Sequence, residues 1–216
     1  MIKRYEYKYH LENGSLAKIL NLVEAHPAGF RTAYPIRLVN NFYLDTLSYH
    51  LFYQNIDGIA KRRKFRYRWY GEFDNENTAQ LEIKYKENEL GWKELISLNL
   101  GDISSRQKLI QHFETTKLTN YFFEPKLYNQ YSRYYFISSN EKFRLTVDYN
   151  QKFGIPFCYK EPYDIKHDDS SIIVELKFDE SEFDFLNEIT SYLPFLRTKN
   201  SKYSNGIQYL INGSPH

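Results

Sequence analysis

The sequence predicts an α+β fold, an eight-stranded antiparallel β-barrel with helices packed on its outside, formed by one domain over residues 1–216. Three observations lead there. Short segments throughout the chain alternate between charged and apolar residues, the period-two signature of strands that bury one face. Amphipathic stretches with helical spacing lie between them and can cover that apolar face. The charged parity is rich in Arg and Lys with a few Glu, on segments whose β-forming residues suit the middle of a sheet.

Taken in chain order, RYEYKY opens a strand near 2–10, with Arg4, Glu6 and Lys8 opposing Tyr5, Tyr7 and Tyr9. Ser15 is the expected N-cap of a helix over 16–26, with Leu16, Ile19, Leu20 and Val23 on one stripe. A strand follows at 37–44, then a short helix within 45–58 that Gly58 ends. KFRYRWYG, in the strand over 62–70, sets Arg62, Lys64, Arg66 and Arg68 against Arg63, Phe65, Tyr67 and Trp69. FDNENT, 73–78, is expected as a hairpin turn into the strand at 79–86, where Glu82, Lys84 and Lys86 oppose Leu81, Ile83 and Tyr85. A strand over 92–99 precedes a helix capped at Ser104 or Ser105. Strands at 125–137 and 142–149 follow, the second with Arg144 and Asp148 opposing Phe143, Leu145 and Val147. The polar stretch 158–171 is expected as a mobile loop, before a strand at 171–178 with Glu175 and Lys177 opposing Val174, Leu176 and Phe178. DESEFDFLNEITSYLPF predicts a longer helix that Pro194 ends.

Cations two apart on one strand face lie roughly 7 Å apart and repel by about 2 to 3 kcal/mol at an effective dielectric near 20. Several such pairs rival the roughly 5 to 15 kcal/mol that hold a domain together. A cationic lining makes sense if the sheet curls around a polyanion, with its aromatic face outward under the helices. Net charge is only +2, from 29 Lys and Arg against 27 Asp and Glu, which argues against a uniformly basic nucleic-acid coat. Nucleic-acid binders also stack bases on aromatics that share a surface with the cations, whereas here the two mostly occupy opposite parities.

Cys158 is the only cysteine, so a disulfide framework is excluded within one chain and a reducing, cytoplasmic setting is expected. The amino terminus lacks the apolar core of a signal peptide, and no apolar run approaches the ~20 residues of a membrane span. No GxxxxGK[ST], GxGxxG or GxSxG segment occurs, so side chains rather than a glycine loop must hold any phosphate. His10, His26, His50 and His112 show no ligand spacing, and Cys158 with His167 lacks a third partner for thiol catalysis.

The ordered segments RYEYKY, NNFYLDT, KFRYRWYG, LEIKYK, GWKEL, YSR, FRLTVD, VELKF and KNSKYSNG resemble the CYTH or triphosphate tunnel metalloenzyme superfamily. Within it they resemble the polyphosphate polymerase domain of vacuolar transporter chaperone proteins, over nearly the whole chain. The resemblance implies an eight-stranded antiparallel tunnel that binds triphosphate by its basic lining. It assigns phosphate binding to Lys8, Lys84, Lys93, Arg133 and Arg144, catalysis to Arg66, Arg68, Lys199 and Lys202, and metal binding to Glu175. Lys199 and Lys202 are named by the resemblance alone. Glu6 falls in the superfamily's ExExK metal motif, but Arg4 replaces that motif's first Glu, which leaves Glu6 as a partner for Lys or Arg. The implied activity is an ATP-dependent phosphotransferase that extends inorganic polyphosphate, releases ADP and uses Mn²⁺ or Mg²⁺. ATP, polyphosphate and orthophosphate are the implied partners, together with room for a membrane-associated partner but none for nucleic acid. A hydrolase of the same tunnel type and a non-catalytic polyphosphate-binding module remain the alternatives.

Overall fold

The structure is a computed structural model that describes residues 3–72, 79–96, 105–157 and 163–212. Nine strands are found among them: β1 (Arg4–Leu11), β2 (Arg31–Asp45), β3 (Lys61–Tyr70), β4 (Gln80–Glu87), β5 (Leu90–Ile96), β6 (Glu124–Ile137), β7 (Phe143–Pro156), β8 (Tyr163–Asp169) and β9 (Ile172–Asp179). They form one antiparallel sheet in the order β6-β2-β3-β4-β5-β1-β9-β7-β8. A further β6–β7 pairing joins the two ends, so eight strands close into a ring and β8 lies outside it against the far half of β7. The β1–β5 seam rests on two register pairs, Arg4 with Gly91 and Tyr5 with Leu90. The β1–β9 contact runs through eight, from Arg4 with Asp179 to Leu11 with Ile172.

The parity expected from the sequence is the parity of the ring. Tyr5, Tyr7 and Tyr9 pack with Phe143, Leu145, Val147, Val174, Leu176 and Phe178 under the helix α1 (Leu16–Glu24), whose Ile19 and Val23 are buried. Phe65, Tyr67, Trp69, Leu81 and Ile83 form a second cluster with Leu109 and Phe113 of α3 (Arg106–Thr115). The serines before both helices accept a bond from the third backbone N–H beyond, Lys18 N to Ser15 and Lys108 N to Ser105, so each cap satisfies an otherwise orphaned donor. Between them, α2 (His50–Ile56) is anchored by Asp45, whose buried carboxylate accepts from the backbone N–H of Thr46, Leu51 and Phe52.

Several expectations are corrected. Residues 163–169 of the presumed mobile loop are β8, because β7 runs on to Pro156 and leaves an edge that pairs with them. The long helix expected after Phe178 is a 3₁₀ turn, Glu180–Phe185, followed by the short α4 (Leu186–Thr190). Phe183 stays beside Phe178 and Tyr5 there, and the tight turn out of β9 prevents a continuous α-helix. A helix not foreseen, α5 (Lys202–Asn212), ends the described chain. It does not lie on the ring's outside: Tyr203 and Ile207 pack on Tyr43, Leu127 and Phe153, which share the parity of the charged lining. The hairpin turn at 73–78, the end of the strand expected at 92–99 and Cys158 fall outside the described residues.

Candidate anion-binding site

The charged side chains of the ring meet across strands that are not neighbours, which only an inward-facing lining allows. Lys84 on β4 donates to both Glu6 oxygens on β1, at 2.8 and 2.7 Å, across β5. Arg68 on β3 donates to the Tyr131 hydroxyl on β6 at 2.9 Å, across β2. Lys202, the first residue of α5, donates to Asp148 Oδ2 at 2.5 Å, while Arg133 grips both oxygens of the same carboxylate at 2.5 and 2.7 Å.

Two carboxylates organise most of the guanidinium groups. Glu82 accepts from Arg66 Nε at 2.9 Å and Nη2 at 2.5 Å, takes Lys93 Nζ at 3.2 Å, and lies 3.8 Å from Arg68 Nη1. Burial opposes its charge, but Arg66, Arg68 and Lys93 hold the carboxyl well below the usual range. Burial likewise opposes ionisation of Asp148, and Arg133 and Lys202 overcome it, bringing that carboxyl down to about 2. Arg66 also donates to the Tyr43 hydroxyl at 3.2 Å, and Arg68 to Asn41 Oδ1 at 2.8 Å. Each fork is therefore fixed in direction before any ligand arrives.

Other cations lack such balance. Lys64 is held by neutral partners, Asn55 Oδ1 at 2.9 Å and Ser201 Oγ at 2.6 Å. Burial, together with Lys8, Lys84, Arg62 and Lys86, pushes its ammonium well below the usual lysine range. Lys8 donates to the Asn200 carbonyl at 3.0 Å. Cations face cations in the register itself: Lys64 pairs with Lys84, Lys84 with Lys93, Arg62 with Lys86 and Arg144 with Lys177. Like charges directly opposed destabilise a sheet, and a multivalent anion among them removes the repulsion.

Glu175 sits in this field with one oxygen unsatisfied. Its Oε1 is buried and has no hydrogen bond, although Lys177 Nζ lies 3.1 Å away off the bonding direction. Thr146, its register partner on β7, has a buried hydroxyl that is equally unpaired. Burial opposes the Glu175 charge, yet Lys177, Lys8, Lys84 and Arg133 keep the carboxyl ionised well below the usual range. A carboxylate oxygen without a hydrogen bond, register-paired with an unbonded hydroxyl, suits a hard divalent cation that takes its other ligands from phosphate and water. Among the described residues no set of three or more His, Cys, Asp or Glu converges on one point, and Glu175 with Thr146 is a pair whose unbonded oxygens could serve such an ion.

The ten residues named from the sequence separate into groups. Lys8, Arg66, Arg68, Lys84, Arg133, Glu175 and Lys202 converge in the interior, and Lys93 reaches it from a half-exposed position through Glu82. Arg144 is exposed at the mouth, where it borders a cavity of about 160 Å³ with Arg4, Lys142 and Lys177. Lys199 is exposed and makes no hydrogen bond or ion pair among the described residues. Sequence reasoning did not single out Lys64, Thr146, Tyr131 or Ser201. The alternation already put Lys64 on the charged parity, whereas Ser201 enters only because residues 197–202 cross back over β1, through Thr198 N to Lys8 O and a Tyr9–Arg197 bridge.

The closed antiparallel ring is a fold shared with solved CYTH-like tunnel proteins. A Vibrio parahaemolyticus protein described as a candidate adenylate cyclase shares 12% identity, with coverage of 92% of this chain and 95% of its own, at a TM-score of 0.55. A candidate adenylyl cyclase from Hippeastrum, described as having a dominant triphosphatase activity, shares 13% identity over 100% and 98% of the two chains at 0.51. A Pyrococcus horikoshii protein shares 12% over 93% and 95% at 0.50. At such identities the likeness is one of fold. The chain belongs to the VTC domain family, whose family model matches residues 3–211. No curated protein matches the sequence.

Proposed function

We propose that this chain is an ATP-dependent polyphosphate polymerase, which moves the γ-phosphoryl group of ATP to the end of an inorganic polyphosphate chain and releases ADP inside a basic tunnel. The observation that carries the reading is a lining with more cations than carboxylates, whose guanidinium forks are already aimed by Glu82 and Asp148. Membership of the VTC domain family supports it.

Arg66 and Arg68 grip the phosphoryl group being transferred, since a planar fork matches phosphate oxygens and stabilises charge as the bond to ADP breaks. Lys8, Lys84, Lys93 and Arg133 hold the flanking phosphates. Lysines act as mobile point charges that release a chain as it advances. Lys202 closes over the site from α5, with Lys199 and Arg144 guiding anions at its margins. Glu175 and Thr146 would hold Mn²⁺ or Mg²⁺, which would supply positive charge to offset that of the phosphates. The acceptor is an anionic phosphate at neutral pH, so no side chain has to remove a proton from it.

Incubation of the purified protein with ATP and Mn²⁺, followed by gel separation and a free-phosphate assay, tests the reading. Long polymer together with ADP is the expected result. Orthophosphate without polymer would replace synthesis by hydrolysis with water as acceptor, and neither product would leave a polyphosphate-binding module.

A further inference from the structure

Arg37 lies on the inward parity, and its register partner across β2 and β6 is Arg133. Among the described residues no carboxylate or hydrogen-bond acceptor meets its guanidinium. Three aromatic faces do: the rings of Tyr34, Tyr70 and Tyr135 lie 5.0, 5.2 and 5.5 Å from it. Tyr34 meets Tyr135 edge to face, at 5.7 Å and 86°.

The cluster is continuous with the phosphate lining. Arg133 lies 5.9 Å from the Tyr135 ring and 5.1 Å from Tyr131, and Lys202 is 4.6 Å above Tyr131. Cations and rings thus alternate from α5 to the Arg37 cluster. Tyr135 is also the register partner of Thr146, the residue with the unpaired hydroxyl opposite Glu175. The outer part of the cluster is open, with Tyr34 54% and Tyr70 40% exposed. Irregularities in β2 between Thr32 and Tyr34 and between Tyr34 and Arg37 break the regular pairing here, as bulges do where a strand must re-aim side chains.

A phosphate has no use for tyrosine faces, and an apolar ligand has no use for a guanidinium. A flat heteroaromatic uses both, stacking on rings and on the guanidinium plane. Its attachment to a polyanion explains why such a surface adjoins Arg133. We propose that Tyr34, Tyr70 and Tyr135 with Arg37 form a nucleobase-stacking site, in which the donor is a nucleoside triphosphate bound with its phosphates on the basic lining and its base at the mouth. The site rests on the polymerase reading for its donor, but not for its binding chemistry.

Tyrosine replacements test it cleanly, because loss of Arg37 would weaken any anion. Wild type, Tyr34→Ala and Tyr70→Ala are titrated calorimetrically, in chelator, with β,γ-imido ATP and separately with inorganic tripolyphosphate. Each variant is expected to lose about 5- to 100-fold in affinity for the nucleotide and to bind tripolyphosphate within about twofold of wild type. Retained tripolyphosphate binding also demonstrates an intact fold. Equal losses for both ligands would overturn the proposal, since the rings would then serve phosphates or the fold. Unchanged nucleotide binding in both variants would overturn it as well. The polymer assay reads separately: ring variants selectively impaired for nucleotide keep this site even if the wild type makes no polymer.

Discussion

Asp148 joins Arg133 on β6 to Lys202 on α5, and its buried carboxylate has its pKa lowered from 3.8 to about 2. A folded-state value below the unfolded one stabilises the fold above the unfolded pKa, and that contribution disappears as pH falls through the folded one. Asp148 is therefore expected to add about 2 kcal/mol at pH 5 and above, lost between about pH 4 and pH 2. Urea unfolding of wild type and Asp148→Asn across this range checks it: the two stabilities should differ at pH 6 and converge towards pH 2. The sequence placed Asp148 with Arg144 on the charged parity, yet its partners come from Arg133 across the sheet and from a helix 54 residues further on. Parity is a property of one strand and names no partner.

At the level of elements, legibility followed local chemistry. The helices with a serine cap and an apolar i, i+4 pair, Ile19 with Val23 and Leu109 with Phe113, were readable. The helix α5 was not, since Ser204-Asn205-Gly206 in its interior is a turn signal that masks the stripe of Tyr203, Ile207 and Leu210. Gly206 is required by packing: a Cβ there would lie 2.6 Å from Leu127 Cδ2 and from Phe153 Cδ1. β8 was mistaken for a loop because its sequence is polar and its order comes from pairing with β7. That pairing depends on Gly154, where a Cβ would run into the Asp164 carbonyl oxygen of β8. Gly154→Ala is expected to destabilise the protein by about 1 to 3 kcal/mol, and a fall in the thermal unfolding midpoint measures it. An unchanged midpoint would mean that the strands part there without cost.

Among the described residues of the whole molecule, Lys8, Lys64, Arg66, Arg68, Lys84, Lys93, Arg133, Lys177 and Lys202 share the interior with the carboxylates Glu6, Glu82, Asp148 and Glu175, fewer than the cations they balance. A ligand that binds the folded state alone stabilises it by mass action, about 2.7 kcal/mol at a hundredfold excess over its dissociation constant. Inorganic tripolyphosphate is accordingly expected to raise the thermal midpoint. The rise should shrink as sodium chloride is added, because salt screens the attraction, and a midpoint indifferent to tripolyphosphate would remove the anion site. By itself the sequence determined which parity carries the charges in β1, β3, β4, β7 and β9, because alternation depends only on the pleat of a single strand. Tertiary structure alone decided that β6 meets β7 to close the ring, that α5 lies against the inward parity, and that Arg37 gathers Tyr34, Tyr70 and Tyr135. Each of those joins residues distant in the chain, and such contacts are set by how strands pair and bend rather than by any local pattern.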